Sequence, residues 1–377
     1  MREITALELA ALVNELRQKL PGLYVDKFYE IDENIFRLRL SKRGLQEDLI
    51  IDLTKTMNLT QYVEKGDNPS NFSIAVRKQI TGFSIEALEQ QGIDRVVTIR
   101  MRKGDSTVNL IIEMFGKGNL VVSDGSMKIL LAYKVHDFKD RKIRPGEQYI
   151  NPKGTAMAVH AQGLDKKAVS EQLEAAVAAK QNIYQALSRA LGIGTIYVAE
   201  VLDSLGVDRQ TPVSEITKEE LSRILDRVEK VTGYITEPEP VLYRDPEGKA
   251  ADYSLYDMDK SHPGLVAERH RDIQEVLDIL SHEEMSRVAK NVKSAKEEEI
   301  ESSIAKQESI LSEMDSQIAA NKTAGEAIFR NMGTVNKLIE YARATRKPTK
   351  EELKKMFPGL VIDDVDLKEK TITIELQ

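Results

Sequence analysis

The sequence predicts an α+β multidomain protein: an N-terminal antiparallel β-sandwich-like domain with helices, an all-α helix–hairpin–helix domain, and a long coiled-coil arm. Three observations predict it. Short apolar or alternating runs, separated by turn residues, fill the stretch up to about Pro152, as strands in hairpins do. The apolar period becomes helical from Lys166 onward. Thirteen positions from Ile300 to Ala342 then alternate four- and three-residue steps, and ten of them are apolar, which is a coiled-coil seam. A length of 377 residues fits two or three domains better than one.

The first domain is expected over 1–165. Thr5 followed by Glu8 is a capping-box pattern, and Leu9, Leu12, Val13, Leu16 and Leu20 supply the stripe of an opening helix that Pro21-Gly22 ends. Strands are predicted over 23–31, 35–40, 49–53, 96–101, 108–114, 120–122 and 129–135, with a helix at 72–79. Residues 166–235 form the helical domain. In it Leu191-Gly192-Ile193-Gly194 joins two amphipathic segments as in a helix–hairpin–helix, where glycine permits the turn and exposed amides at the next helix N-terminus suit a phosphate. The usual small residue four positions after the second glycine is Val198 here, so packing remains an alternative role for the turn. Residues 236–263 read as an ordered connector rich in Pro, Gly, Asp and Tyr. Residues 264–347 read as the arm, and 348–377 as a small α/β tip, with a helix at 350–356 and strands at 359–362 and 371–376. No returning helix follows, so the arm is expected to pair with another segment or another molecule.

Composition excludes several classes. Without Cys there is no disulfide framework, thiol nucleophile or Cys-ligated metal, and five dispersed His leave little for a metal site. No metal and no cofactor are expected. The start lacks a signal-peptide pattern and no 18 apolar residues run together, so a cytoplasmic protein without membrane contact is expected. The net charge of −7 is uneven. Residues 1–152 hold 23 Lys+Arg and 21 Asp+Glu, net +2, so the remainder, with 31 and 40, carries −9. The first part is the better partner for a polyanion.

No catalytic constellation stands out: there is no Walker loop, GxGxxG fingerprint, HExxH or nucleophile elbow. Glu297-Glu298-Glu299, His270 and His282 read as surface of the arm. In the run from Lys139 to Arg144, Arg141 and Lys142 are candidates for phosphate contact, as are Gly192 and Gly194; a solvated loop or edge strand is the alternative reading of the basic run. Asp94-Arg95 stands where a strand begins. Strand parity puts Arg95 with Val97, Ile99 and Met101, an apolar row, where an Arg must sit at the rim, bridge to a carboxylate or serve a ligand. A structural Asp94–Arg95 pair is the reading favoured by spacing alone.

Several stretches together resemble the NFACT family of ribosome-quality-control factors, the group of the NEMF, RqcH and FbpA-like proteins. They are Ile4-Thr-Ala-Leu-Glu-Leu9, the helix from Phe72 to Arg77-Lys78, the Gln90…Asp94-Arg95 step, Gly118-Asn119-Leu120 and Arg144-Pro-Gly-Glu-Gln-Tyr149. The acidic, Cys-free composition and long arm suggest an archaeal member. The resemblance implies a glycosylase-like N-domain fold and a factor that recognises large ribosomal subunits (rRNA and proteins) still carrying peptidyl-tRNA. It implies recruitment of aminoacyl-tRNA and mRNA-independent C-terminal tailing, with peptide-bond formation left to the ribosome, so no enzyme is expected. Asp94 and Arg95 match the pair implicated in tRNA engagement. Glu8 stands where the family often has Asp. Arg77 and Lys78 match a basic helix positioned to meet RNA phosphate.

Two alternatives belong to other classes. The N-domain fold also resembles formamidopyrimidine-type DNA glycosylases, but Met1-Arg2-Glu3 lacks the nucleophilic Pro and the chain lacks zinc-finger Cys, so no DNA partner is expected. A coiled-coil scaffold for a protein partner, without tailing, is the other.

Overall fold

The protein is described here by a computed structural model covering residues 1–62, 69–152, 158–160, 163–258 and 261–376; the side chains of residues 160 and 288–297, Glu297 among them, lie outside the description. Helix α1 (Ala6–Lys19) opens the fold with the capping box complete: Glu8 N–H donates to Thr5 Oγ1, and Glu8 Oε2 accepts from Thr5 N–H. Nine of its residues are buried, apolar ones on every side, so it is a central helix rather than a surface one.

Around it runs a nine-stranded antiparallel sheet built from β1 (Tyr24–Asp32), β2 (Ile35–Lys42), β3 (Leu45–Asp52), β4 (Met57–Thr60), β5 (Ser84–Gln90), β6 (Val96–Lys103), β7 (Ser106–Glu113), β8 (Asn119–Asp124) and β9 (Ile129–Ala132), in the order β4-β3-β2-β1-β5-β6-β7-β8-β9. Helix α2 (Asn71–Ile80) follows β4 in sequence and packs on β1. The expected sandwich is thus one continuous sheet, whose two halves meet in the single ladder pair Tyr24–Ser84. Strand β5 escapes the sequence pattern because a bulge between Ile85 and Ala87 spaces its buried Ile85 and Leu88 at a helical interval. Strand β4, with four residues, is too short to show a period.

Two-residue strands β10 (His136–Asp137), β11 (Lys142–Ile143), β12 (Val159–His160) and β13 (Gly163–Leu164) pair as β10–β11 and β12–β13. Helices α3 (Lys166–Ala178), α4 (Ile183–Leu191), α5 (Thr195–Leu205) and α6 (Lys218–Gly233) come next. The expected connector at 236–263 is a correction: it contributes β14 (Val241–Arg244) and β15 (Ala250–Ser254), which form a three-stranded sheet with β16 (Val266–Arg269). The Gly- and Pro-rich turns between these strands mask them in the sequence.

Residues Met1–Val288 form one compact unit. Its main core runs without a break from Ile4 to Leu280, drawing on the predicted first domain, helical domain, connector and start of the arm. They share a core because α1 must be covered on all sides. Helix α7 (Ile273–Arg330) starts nine residues later than the predicted arm, and its first amides are capped from α1, with Ile273 N–H donating to Glu15 Oε1 at 2.8 Å and Gln274 N–H to Oε2 at 3.1 Å. Burial pushes the Glu15 carboxyl up despite these two donors.

Residues Ala289–Gln377 form a second unit. In it α7 gives way at Asn331 to α8 (Met332–Ala344), followed by α9 (Lys350–Met356) and the hairpin of β17 (Val361–Asp366) and β18 (Thr371–Glu375). Leu338, Leu353, Leu360 and Ile362 form its core. The seam residues Ile300, Ile304, Leu311, Met314 and Ile318 are exposed along α7. Among the described residues no helix is long and apolar enough to cross a membrane.

Candidate nucleic-acid interface

The structure brings several predicted residues to the start of α1. Glu8, fully buried, accepts from Arg2 through both oxygens (2.5 and 2.8 Å), from Tyr197 Oη at 2.8 Å, from Tyr253 Oη at 3.3 Å and from Thr5 N–H at 2.8 Å. Tyr197 comes from α5 and Tyr253 from β15, so one carboxylate ties the opening helix to two distant segments. Arg2 stacks over the Tyr253 ring at 4.2 Å and donates to Asp252 Oδ1 at 2.9 Å. Burial, aggravated by the Glu8 charge, pushes both tyrosine hydroxyls well above their ordinary range, so they stay protonated donors. With no exposed surface, Glu8 is a positioning residue; its expected contact with tRNA is corrected to a contact inside the protein.

The network continues to His262. Its Nε2 lies 3.1 Å from Asp252 Oδ2 and its Nδ1 lies 3.1 Å from the Met258 carbonyl, while its ring stacks on Tyr243 at 3.8 Å. Both partners are acceptors, so the charged ring, with a proton on each nitrogen, is the form that satisfies both contacts. Burial opposes that charge, but the bonds to Asp252 and to the Met258 carbonyl, with the Asp252 charge, together outweigh it and the pKa is raised. A raised folded value stabilises the fold fully below the unfolded value of about 6.5 and loses the contribution as pH rises through the folded one. Replacing His262 by Gln should therefore lower the thermal midpoint most near pH 6, with a gap to wild type that narrows towards pH 9. A gap independent of pH would show that the ring acts by packing alone.

Arg95 stands just before β6, outside the apolar row that parity assigns it. Its guanidinium is about one quarter exposed and pairs with Glu3, which is itself exposed. Asp94 does not pair with it side chain to side chain; Asp94 Oδ1 accepts the Arg95 backbone N–H at 2.7 Å. Gln90 Nε2 donates to the Asp94 carbonyl at 2.8 Å and to the Ala6 carbonyl at 3.1 Å, which fastens this turn to the first turn of α1. The expected structural Asp94–Arg95 pair is therefore an Arg95–Glu3 pair, leaving a cation on the rim above the buried Glu8 network.

The other candidates lie elsewhere. Arg141 is buried and forks onto Glu113 at 2.5 and 3.2 Å, with Tyr149 Oη donating to the same carboxylate at 2.8 Å. Removing one partner of such a pair costs about 3–5 kcal/mol, so Arg141 is corrected from phosphate contact to structural cation. Lys142 beside it is exposed. Gly192 is the left-handed C-cap of α4, at φ 64°. Gly194, at φ 105°, caps α5 with its Cα turned to Thr5: a Cβ there would meet Thr5 Cγ2 at 2.6 Å and Cβ at 2.8 Å. Gly194 thus serves the packing of the helical turn on the start of α1, and Gly192 the ending of α4. Arg77 donates from Nε to the Phe28 carbonyl at 2.6 Å, and Lys78 is exposed on the same helix. Among the described residues no group of three or more His, Asp or Glu is placed to hold a metal ion.

Sequence reasoning missed Arg2, Tyr197, Tyr253, Asp252 and His262. The side-chain contacts that join them into the network span 6 to 251 residues, apart from the local His262–Met258 contact, and only the two tyrosines carried any signal.

A large antiparallel sheet around a capped central helix, with the start of α5 packed on that cap, is the class of fold these residues define. Its neighbours agree: the fold matches a fibrinogen-binding protein from Staphylococcus aureus (20% identical, 73% of this chain and 97% of that one, TM-score 0.56) and the N-terminal part of the fibronectin/fibrinogen-binding protein from Streptococcus suis (20% identical, 74% and 99%, TM-score 0.56). Residues 5–358 match the NFACT N-terminal and middle domains, and the chain belongs to this ribosome-quality-control family. It is similar to the archaeal Rqc2 homolog aRqcH of Methanocaldococcus jannaschii, 25% identical over 92% of this chain and 52% of that protein. It is also similar to the human ribosome quality control complex subunit NEMF, 24% identical over 61% of this chain and 22% of that one. The chain thus spans about half the length, or less, of these relatives.

Proposed function

We propose that this chain is the tRNA-engaging portion of a ribosome-quality-control factor, acting on large subunits obstructed by peptidyl-tRNA. In this reading it recruits aminoacyl-tRNA for C-terminal tailing of the stalled chain. It positions tRNA while the ribosome performs peptidyl transfer, so it needs no catalytic group and no cofactor, and it works with ribosomes in the cytoplasm. The observation that carries the reading is the rim at the start of α1: Arg95, a planar cation with partial exposure, held by Glu3 and by a turn tied to α1 through Gln90 and Asp94. A guanidinium paired to an exposed carboxylate exchanges that partner for phosphate at low cost, because the pair is only weakly stabilising in water. The α4–turn–α5 segment acts as a helix–hairpin–helix that braces this rim, and α7 offers its exposed seam to a partner helix in a coiled coil.

Binding of tRNA measured over a salt series tests the proposal. Wild type should bind at low salt, and Arg95→Ala should bind about ten-fold more weakly, with a log–log salt slope smaller by about 1. No binding by wild type, or an unchanged slope in the variant, would overturn it. The exposed apolar seam of α7 favours a second reading, a scaffold for a protein partner, and that reading alone would survive such a result.

A further inference from the structure

The outer face of β1 and β2 carries a cluster that the Arg95 rim does not use. Tyr29 lies opposite Arg37, and Lys27 opposite Arg39, in the β1–β2 ladder, so all four share one face. Three guanidinium carbons gather over the Tyr29 ring, Arg37 at 4.3 Å, Arg77 of α2 at 4.9 Å and Arg39 at 5.8 Å from its centroid. Arg37 is buried and shares the Asp48 carboxylate with the partly exposed Arg39. Arg77 meets a main-chain carbonyl, and neither it nor the exposed Lys27 and Lys78 enters an ion pair among the described residues. Of the three β1 carboxylates, Asp26 is engaged by the Ser41 hydroxyl at 2.7 Å, Glu30 by that of Ser70, and Asp32, at the far end of the strand, by the Glu33 N–H at 2.7 Å. A helix C-terminus favours cations, which accounts for Arg77 and Lys78 but not for Lys27 and Arg39 on neighbouring strands.

We infer that this face is a second RNA-phosphate site, resting on the reading of the chain as an RNA-binding factor. The Tyr29 ring, the Phe28 carbonyl and the Asp48 carboxylate hold Arg77 and Arg39 in place beside the buried Arg37, so that two neighbouring phosphates are met by preorganised donors. Lys27 and Lys78 extend the positive edge as mobile charges. The site is separate from the Arg95 rim. From the Tyr24–Ser84 pair, Tyr29 lies five residues along β1 and Gln90 six along β5 in the opposite direction, about 35 Å measured along the strands. A stretch of RNA backbone, from tRNA or from large-subunit rRNA, is the ligand of matching chemistry.

The test compares wild type, the double variant Arg39→Gln/Arg77→Gln, the surface double variant Lys27→Gln/Lys78→Gln, and Arg95→Ala. Each is titrated with deacylated tRNA and with purified large ribosomal subunits over a salt series. The arginine variant should bind one or both probes about ten-fold more weakly, with a salt slope reduced by about 1.5–2. Loss on tRNA alone assigns the site to tRNA, and loss on subunits alone assigns it to rRNA. Should the arginine variant unfold, the lysine variant decides, since its exposed side chains are not part of the core. Unchanged affinity and slope for both probes in the folded variants, with Arg95→Ala still impaired, would overturn this inference and leave the proposed function standing. Failure of wild type to bind either probe would overturn both.

Discussion

Replacing Glu8 by Ala should lower the thermal midpoint of the Met1–Val288 unit by roughly 10 °C, the largest single effect expected here. The carboxylate is the common acceptor of Arg2, Tyr197, Tyr253 and the Thr5 amide, in a site with no access to water. Its removal leaves two buried hydroxyls without their acceptor and a partly buried guanidinium with only Asp252 and main-chain carbonyls, and breaking a buried charge pair costs about 3–5 kcal/mol. The capping box also opens, which adds a part of the ~1 kcal/mol that a cap contributes. Glu8→Gln keeps the shape but offers one acceptor where two are needed, so its loss should be smaller yet clear. Thermal unfolding of the three proteins checks this ordering. A variant Glu8→Ala as stable as wild type would mean that the network does not hold α1, α5 and β15 together.

The second large effect is at Gly194. A methyl group there would sit 2.6 and 2.8 Å from Thr5 carbons, on a residue whose φ of 105° L side chains rarely adopt. Backbone strain of about 1–3 kcal/mol and overpacking of about 1–3 kcal/mol act together, so Gly194→Ala should cost on the order of 3 kcal/mol. Because Thr5 is the cap of α1, the damage should spread to the Arg95 rim and weaken tRNA binding as well. Adding Thr5→Ser removes the nearer contact while keeping the capping hydroxyl. The double variant should recover part of the lost stability, which a double-mutant cycle reads as coupling between the sites. Purely additive losses would place the whole cost in the backbone.

How far these effects were legible in the sequence differs from residue to residue. The capping box at Thr5 and Glu8 was legible because its two members are three residues apart and the helix stripe follows at once. The hairpins from β1 to β3 and from β6 to β8 were legible for the same reason: ladder partners come from neighbouring runs with a clear alternation. The three-stranded sheet of β14, β15 and β16 was not, because its short strands sit between turn-rich stretches whose composition dominates the reading. Asp94 and Arg95 stood out as a charged step at a strand start, but the carboxylate that Arg95 takes, Glu3, is 92 residues away.

The same division holds for function. Local order in the sequence determined that α1 is capped, that Gly192 and Gly194 form a tight turn, and that apolar residues recur at helical spacing along α7, because each depends on residues a few positions apart. Which groups are presented to a ligand was decided by the tertiary structure alone. Burial turned Glu8 and Arg141 from candidate contacts into internal partners and left Arg95 on a rim, since a charge withdrawn from water must be satisfied within the protein. The uneven charge of the chain pointed to the first 152 residues as the polyanion partner. Only the pairing of β1 with β2, and the packing of α2 on β1, gathered Arg39 and Arg77 over one tyrosine ring, a proximity that no spacing in the sequence contains.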